Sequence, residues 1–349
     1  MRLLILGTGK MANQHATRFA AIPGVRLVGA VDTNPERLAA FCELHKIERR
    51  FATAEEALAW GDFDAVTNVT PDAAHYPTSM LCIAAGKHVL CEKPLATNYA
   101  EASEMADAAE RAGLVAMVNL SYRNVAEIHA ARDLVLSGRI GGVKHVEASY
   151  LQSWLVSKAW GDWRSGPQWL WRLSKAHGSN GTLGDIGIHI LDFASYGAAT
   201  DIDSITCRLK TFHKAEGDRI GEYALDANDS FVMTADFANG ALGVVHATRW
   251  ATGHINELKV RIYGDKGGIE VQHTPQASHL RVCLDEDAET ATWRDMPAAP
   301  VATNYERFVN AVRLNMAATE PSFRHAANLQ RILDMAAGSE QPAPALVHA

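Results

Sequence analysis

Asp185 and His189 stand four residues apart, and Asp192 follows three residues later. If the chain is helical from Gly184, this spacing puts the carboxylate and the imidazole on one face. A histidine has an ordinary pKa of about 6.5, which suits proton transfer near neutrality. No second His or Cys stands at matching spacing, so the group is read without a metal. Taken alone, His189 would be a buried structural histidine. Its chemical reading depends on a lysine placed elsewhere.

That lysine is Lys93. The apolar run His88–Cys91 predicts one short, buried parallel strand, and Glu92-Lys93-Pro94 follows at its carboxyl end. In open α/β sheets this end faces the ligand crevice. Pro94 cannot donate to a ladder, so the strand stops there.

The elements that must position Lys93 begin at the first residues. Leu3–Leu6 is an apolar run followed by Gly7-Thr8-Gly9-Lys10-Met11-Ala12 and a helical pattern over 13–21. This is strand, glycine turn, helix, with Gly7, Gly9, Lys10 and Met11 placed to bind a pyrophosphate at the helix N-terminus. Ala12, where a third glycine is usual, is small enough for close helix–strand packing. A second strand over 27–31 ends in Asp32. That carboxylate suits the ribose hydroxyls of NAD and repels the 2′-phosphate of NADP, with Arg37 one turn on to soften the preference. The alternative for Asp32 is an N-cap for the helix opening at Pro35.

A third strand over 64–69 runs into Thr70 and Pro71, again at a carboxyl end. His75 is either a cofactor or cleft contact or a polar residue on the first helical turn. Glu92 joins Lys93 beside the same cofactor. Thr97 caps a helix to Arg111, and 114–118 makes a fifth strand. This alternation predicts a parallel, doubly wound sheet over residues 1–120. From 121 to 338 a helical stretch (121–137) precedes strand-like runs at 144–151, 202–209, 231–237, 242–246, 258–263 and 268–271. Turn signals at Asn239-Gly240 and Asp265-Lys266-Gly267 join several of them into an antiparallel sheet. Helical patterns over 305–315 and 324–337 follow, and an Ala/Pro-rich tail over 339–349 reads as loose.

The 349 residues are long enough for two domains. A net charge of -7 without a Lys/Arg block excludes a nucleic-acid footprint. No apolar run spans a bilayer. The chain opens almost at once on a strand, leaving no room for a signal peptide. Cys42, Cys82, Cys91, Cys207 and Cys283 are scattered and odd in number, as expected of reduced thiols in the cytoplasm.

Together these residues resemble the Gfo/Idh/MocA oxidoreductases. The resemblance rests on Gly7-x-Gly9-x-x-Ala12, Asp32, Thr70-Pro71-x-x-x-His75 and Glu92-Lys93-Pro94. It continues through Tyr122-Arg123, Trp171-Arg172, the segment from Gly181 to Asp192, Asn228-Asp229, Ala247-Thr248-Arg249 and Gly264-x-x-Gly267. It implies a Rossmann domain followed by an α/β domain whose mostly antiparallel sheet has an open face used for oligomerisation, as a homodimer or homotetramer. Ser179-Asn180-Gly181 departs from the family's plainer glycine run, and His254 stands where arginine is common.

The chemistry expected is alcohol oxidation on a secondary hydroxyl of a sugar, glycoside or cyclitol, with ring C3 of a glucoside a specific case. Hydride goes to the nicotinamide, and the hydroxyl proton goes to His189 or Lys93. Burial beside a cationic nicotinamide would lower the Lys93 ammonium from about 10.4. Asp185 holds a substrate hydroxyl or orients the base. The stretch 154–171 carries Trp154, Trp160, Trp163, Trp169 and Trp171, with Arg164 and Arg172 interleaved. It reads as a sugar-binding wall formed by Trp163, Arg164, Trp171 and Arg172 with Tyr122 and Arg123, or else as an interface or core. Two other readings remain open: an NAD-dependent glycosidase that recycles its cofactor, and a non-enzymatic sugar or dinucleotide sensor.

Overall fold

The computed structural model describes residues 1–338, so the expected tail lies outside the described residues. The chain forms two compact units. The first is Met1–Asn124 with Val301–Arg331, and the second is Val125–Pro300 with the chain from Ile332.

The first unit carries six parallel strands: β1 (Arg2–Leu6), β2 (Arg26–Val31), β3 (Arg49–Phe51), β4 (Ala65–Asn68), β5 (His88–Cys91) and β6 (Ala116–Val118). Their spatial order is β3-β2-β1-β4-β5-β6. The order reverses between β1 and β4, which is where such sheets bind dinucleotides. Helices α1 (Lys10–Ala20), α2 (Pro35–His45), α3 (Ala54–Trp60), α4 (Asp72–Ala84) and α5 (Tyr99–Arg111) connect the strands. The expected fifth strand is thus the sixth, because the three-residue edge strand β3 was not anticipated. Asn98 rather than Thr97 caps α5, accepting from Glu101 N at 3.0 Å.

The boundary expected at residue 120 needs a correction in its far half, since 301–331 belongs to the first unit. The helix Asn304–Leu314 explains this. Thr303 and Glu306 form a reciprocal capping box at its start. Tyr305, Phe308 and Val309 then enter the core that holds Leu3, Ile5, Phe19 and Leu90. A fully buried side chain such as Phe308 contributes about 1.5–3 kcal/mol relative to exposure.

The second unit is built on an eight-stranded sheet. Its spatial order is Arg294–Asp295, Ser278–Leu284, Gly267–His273, Glu257–Gly264, Val143–Leu151, Leu242–Thr248, Ser230–Phe237, Ile202–Lys210. All pairings are antiparallel except Val143–Leu151 with Leu242–Thr248. Period-two alternation turns Val146, Ala148, Val245, Ala247, Val260 and Ile262 inward. Helices Ala126–Leu136 and Ile188–Gly197 pack on the sheet. The opposite side mixes charged and apolar residues: Arg261 links Glu147 and Glu270 at 3.2 and 2.7 Å, while Val232 and Leu242 are exposed. Among the described residues no helix is long and apolar enough to cross a membrane.

Candidate active site

The first unit supplies a dinucleotide cradle. Gly7 has φ +84°, and a Cβ there would lie 2.7 Å from the Val69 carbonyl oxygen, so the β1 turn and the β4 end approach only because Gly7 lacks a side chain. A Cβ on Gly9 would meet nothing within 4 Å. The space beside its backbone is open, and α1 begins there with no side-chain cap on its first N–H groups. That is the arrangement a pyrophosphate needs. Lys10 and Met11 are exposed on this first turn, and Ala12 is fully buried against the sheet.

Asp32 directly follows β2 and is buried. It accepts from Thr8 N (2.8 Å), Thr8 Oγ1 (2.6 Å) and Asn34 N (2.9 Å), stitching the glycine turn to β2. Arg37 donates Nε and a terminal nitrogen to it at 3.0 and 2.5 Å. Burial pushes the Asp32 carboxyl upward, but these donors outweigh it and hold the group well below the usual range. The cap of α2 is Asn34, which accepts from Arg37 N at 2.7 Å. Asp32→Ala would release the exposed Arg37 side chain toward a 2′-phosphate. The ratio of kcat/KM for NADP to that for NAD is expected to rise at least about tenfold. Parallel kinetics with both cofactors check this, and an unchanged ratio would remove Asp32 as selector.

Thr70 is half-buried and Pro71 exposed at the β4 end. Lys93 is half-buried at the β5 corner, where the Lys93–Pro94 peptide is cis. Three expected contacts in this unit need correction. His75 is fully buried on the inner face of α4, with both ring nitrogens on main-chain carbonyls, so it does not present its ring to a cofactor. Arg123 is also buried, and its guanidinium lies 3.0 Å from His325 Nε2, inside the same unit rather than on a sugar wall. Tyr122 beside it stays half-buried.

Glu92 is the third correction, because its carboxylate points inward. Oε1 lies 2.7 Å from His15 Nε2 and accepts from Asn119 Nδ2 at 2.7 Å, and Oε2 accepts from Lys93 N at 3.2 Å. Burial raises this carboxyl, but the His15 bond and charge, the Asn119 bond and the Lys93 charge together bring it down to about 2. A carboxylate depressed from 4.5 contributes stability above its unfolded pKa and loses it as pH falls toward about 2. The contribution is about 3 kcal/mol. Acid unfolding followed by circular dichroism should therefore steepen between about pH 4.5 and 2. Glu92→Gln should flatten that limb, and an identical limb in the variant would argue against Glu92 as its source.

The second unit carries Asp185 and His189. Asp185 lies on a π-helical turn, Leu183–Gly187, which passes into the helix Ile188–Gly197 holding His189. The expected helix from Gly184 is thus wider at its start. A π turn closes over one more residue than an α turn, so groups four apart lie closely in line. His189 is buried and Asp185 partly exposed. Arg249, fully buried at the end of its strand, donates to Asp185 Oδ2 at 3.0 Å and to the carbonyls of Gly181 (3.3 Å) and Arg172 (3.2 Å). Its guanidinium also lies 4.8 Å from the centre of the Trp154 ring. Burial lowers the Arg249 pKa, and the Asp185 charge opposes that shift. Arg172 Nε stands 3.7 Å from the same Asp185 oxygen. Arg249, which in the sequence carries only the family resemblance, is thus part of the site.

The turn presenting Asp185 depends on the unusual Ser179-Asn180-Gly181. Ser179 Oγ donates to the Arg172 carbonyl at 2.6 Å and accepts from Gly181 N at 3.0 Å. A Cβ on Gly181 would strike the Asn228 backbone at 2.4 Å. Asn228 in turn accepts from Leu183 N and donates to the Asn180 carbonyl. His254 contacts Glu257 Oε2 at 3.0 Å.

The tryptophan stretch forms a small core of its own. Trp154, Leu155, Trp163, Leu170, Leu173 and Leu225 are buried together, with Trp160, Trp169 and Trp250 packed on them. Trp163 spends its indole N–H on the Leu155 carbonyl at 3.2 Å, so it supports the wall instead of facing a sugar. Arg164 is exposed over Trp163 at 4.5 Å. Trp171 is 40% exposed with Arg172 stacked 4.6 Å from its ring centre, and this pair remains able to meet a ligand.

A glycine-turn cradle at the sheet's switch point, an acidic residue directly after β2 and a mostly antiparallel second unit define an NAD-binding dehydrogenase. Residues 1–120 match the oxidoreductase family with an NAD-binding Rossmann fold, and 128–270 match the GFO/IDH/MocA C-terminal domain. The chain belongs to the Gfo/Idh/MocA oxidoreductase family, with NAD as cofactor. It is 29% identical to levoglucosan dehydrogenase of Pseudarthrobacter phenanthrenivorans over 314 residues, 81% of this chain and 76% of that protein. It is 27% identical to D-glucoside 3-dehydrogenase of Escherichia coli over 279 residues, 77% of this chain and 76% of that one. A solved levoglucosan dehydrogenase in complex with NADH and L-sorbose superposes with a TM-score of 0.83 at 26% identity, covering 97% of this chain and 96% of the other.

Proposed function

We propose that this enzyme oxidises a ring hydroxyl of a cyclic sugar, an anhydrosugar or glucoside in preference to a cyclitol, with Lys93, Asp185 and His189 as the catalytic groups. The observation that carries the reading is Asp185. A buried arginine holds it as an ionised acceptor, on the same helical run as a histidine. A fixed carboxylate suits a substrate rich in hydroxyl donors. The similarity to levoglucosan and glucoside dehydrogenases supports the sugar class.

NAD, held at the turn of Gly7 and Gly9 and at Asp32, would supply the acceptor for the hydride of the carbinol carbon. The chain's residues supply the rest. The His189 imidazole takes the hydroxyl proton as the carbonyl forms, and returns it in the reverse reaction. Lys93 Nζ donates a hydrogen bond to the oxygen as negative charge develops on it. Asp185 accepts from a neighbouring hydroxyl and fixes which carbinol carbon is presented. Trp171 and Arg172 offer an aromatic face and donors to the ring.

The same proposal places the protein in the cytoplasm as a homodimer or homotetramer, with no nucleic-acid or membrane partner. All five cysteines are buried free thiols, which suits a reducing compartment. Val232 and Leu242 are more than half exposed on the side of the second sheet opposite its buried alternation, which suits a subunit interface. Light scattering on the eluted protein tests the assembly.

The experiment for the activity is NADH absorbance with NAD and a panel of levoglucosan, methyl glucosides, free aldoses and inositols. A rise with the anhydrosugar or glucosides is expected. A rise confined to inositols would move the substrate to the cyclitols, and release of free aglycone without net NADH would mark the glycosidase.

A further inference from the structure

His75 has no part in the scheme above, yet it occupies a central place in the first unit. Its side chain is fully buried. Nδ1 lies 2.7 Å from the Pro94 carbonyl oxygen, and Nε2 lies 2.9 Å from the Thr70 carbonyl oxygen. Thr70 follows β4 and Pro94 follows β5. One imidazole therefore bridges the two loops that leave adjacent strands at their carboxyl ends.

The surroundings brace this bridge. Asn68 accepts from Thr70 N and Thr70 Oγ1 at 3.2 and 2.7 Å, and donates to Thr78 Oγ1 and Ser79 Oγ at 2.7 and 3.0 Å. The Thr70 loop is thus tied to α4, the helix that carries His75. On the other side of Lys93, Glu92 is held by His15 and Asn119. The two residues flanking Lys93 are each gripped from inside by a buried histidine, Glu92 through its side chain and Pro94 through its main chain.

Helix packing alone does not call for a histidine here. His75, Ser79, Cys82 and Ile83 form the buried stripe of α4, and an apolar residue would fill it. A histidine donates to one of these carbonyls as the neutral ring and to both as the imidazolium; an apolar residue donates to neither, and leaving a buried acceptor unpaired is costly.

We propose that His75 is a positioning residue for Lys93: by tying the Thr70 and Pro94 carbonyls it fixes the main chain from which the lysine extends. The inference rests on the reading of Lys93 as catalytic only for its kinetic arm.

The test uses His75→Leu, which removes the donors, and His75→Gln, whose amide carries two N–H groups. Each is made alone and with Lys93→Ala, and assayed with NAD and levoglucosan. His75→Leu should lower kcat about tenfold or more with little change in NADH affinity, and His75→Gln should recover most of it. With Lys93→Ala in place, His75→Leu should cost almost nothing further. Equal losses in both backgrounds, or a loss of NADH affinity in place of kcat, would overturn the positioning role. Normal turnover in Lys93→Ala alone would instead sink the catalytic reading of the lysine.

A second arm needs no turnover. Lysines are reductively methylated with a ¹³C label, and the Lys93 resonance is assigned with Lys93→Arg. It should keep its position in His75→Gln and move in His75→Leu. His75→Asn, whose shorter amide cannot span both carbonyls, should move it as Leu does and serves where the Leu variant does not fold. An unmoved resonance in these variants overturns the proposal whatever the substrate.

Discussion

Lys93→Ala and His189→Ala are each expected to lower kcat at least about a hundredfold while NADH still binds. In the proposed mechanism both side chains act on charge that exists only as the carbonyl forms, so their loss should fall on kcat more than on KM. A hundredfold corresponds to about 2.7 kcal/mol of transition-state stabilisation. That is the scale of one well-placed donor to a developing oxyanion. The cradle of Gly7, Gly9 and Asp32 uses neither side chain, so NADH fluorescence titration should give similar affinities in both variants.

Lys93→Arg separates two roles for the lysine. Arginine keeps the positive charge but does not release a proton in a protein. If Lys93 only stabilises charge, the arginine variant should regain part of the lost turnover. If it carries the proton, arginine should be as poor as alanine. Near-normal turnover in both alanine variants would remove both groups from the chemistry.

The Rossmann half was legible because its signals are local. A strand, a glycine turn and a helix follow one another within 20 residues, and each carboxyl end is marked by Asp32, Thr70-Pro71 or Glu92-Lys93-Pro94. What escaped depends on partners distant in sequence. The edge strand Arg49–Phe51 is too short and too charged to read as apolar. The helix Asn304–Leu314 shows its apolar face clearly, but nothing in it says which sheet it covers.

The site residues divide in the same way. His75 is spaced with Ser79, Cys82 and Ile83 as a buried helical stripe, a pattern that a polar side chain disguises. Arg249 continues the inward alternation of Val245 and Ala247, so the period of the strand places it in the core. A charged residue at a core position marks a buried partner. Here the partner is Asp185, 64 residues earlier in the chain. Trp163 misled in the opposite direction. Its surface suits a sugar, but the same surface suits a core, and its indole N–H found the Leu155 carbonyl.

Asp185→Ala is expected to abolish turnover and also to destabilise the protein by about 3–5 kcal/mol, because it leaves the buried Arg249 without its hydrogen-bonded carboxylate, with only the charge of Asp229, already paired with Lys214, to face it. The two remaining acceptors on the guanidinium, the Gly181 and Arg172 carbonyls, are neutral and lie at 3.3 and 3.2 Å. They and the Trp154 face cannot replace a carboxylate at 3.0 Å. Asp185→Asn keeps an acceptor for Arg249 without the charge, so its stability should fall between the wild type and alanine. The combined Asp185→Ala, Arg249→Met variant distinguishes the structural from the catalytic part. Removing the stranded cation with a flexible apolar side chain should restore much of the lost stability, as replacing a whole buried pair costs far less than breaking it. It should restore no turnover, since the hydroxyl acceptor is still missing. Urea unfolding and kcat on the three variants check this. If stability and activity rise together in the double variant, Asp185 serves the fold alone. If neither changes between the single and double variants, the pair with Arg249 is not what Asp185 contributes.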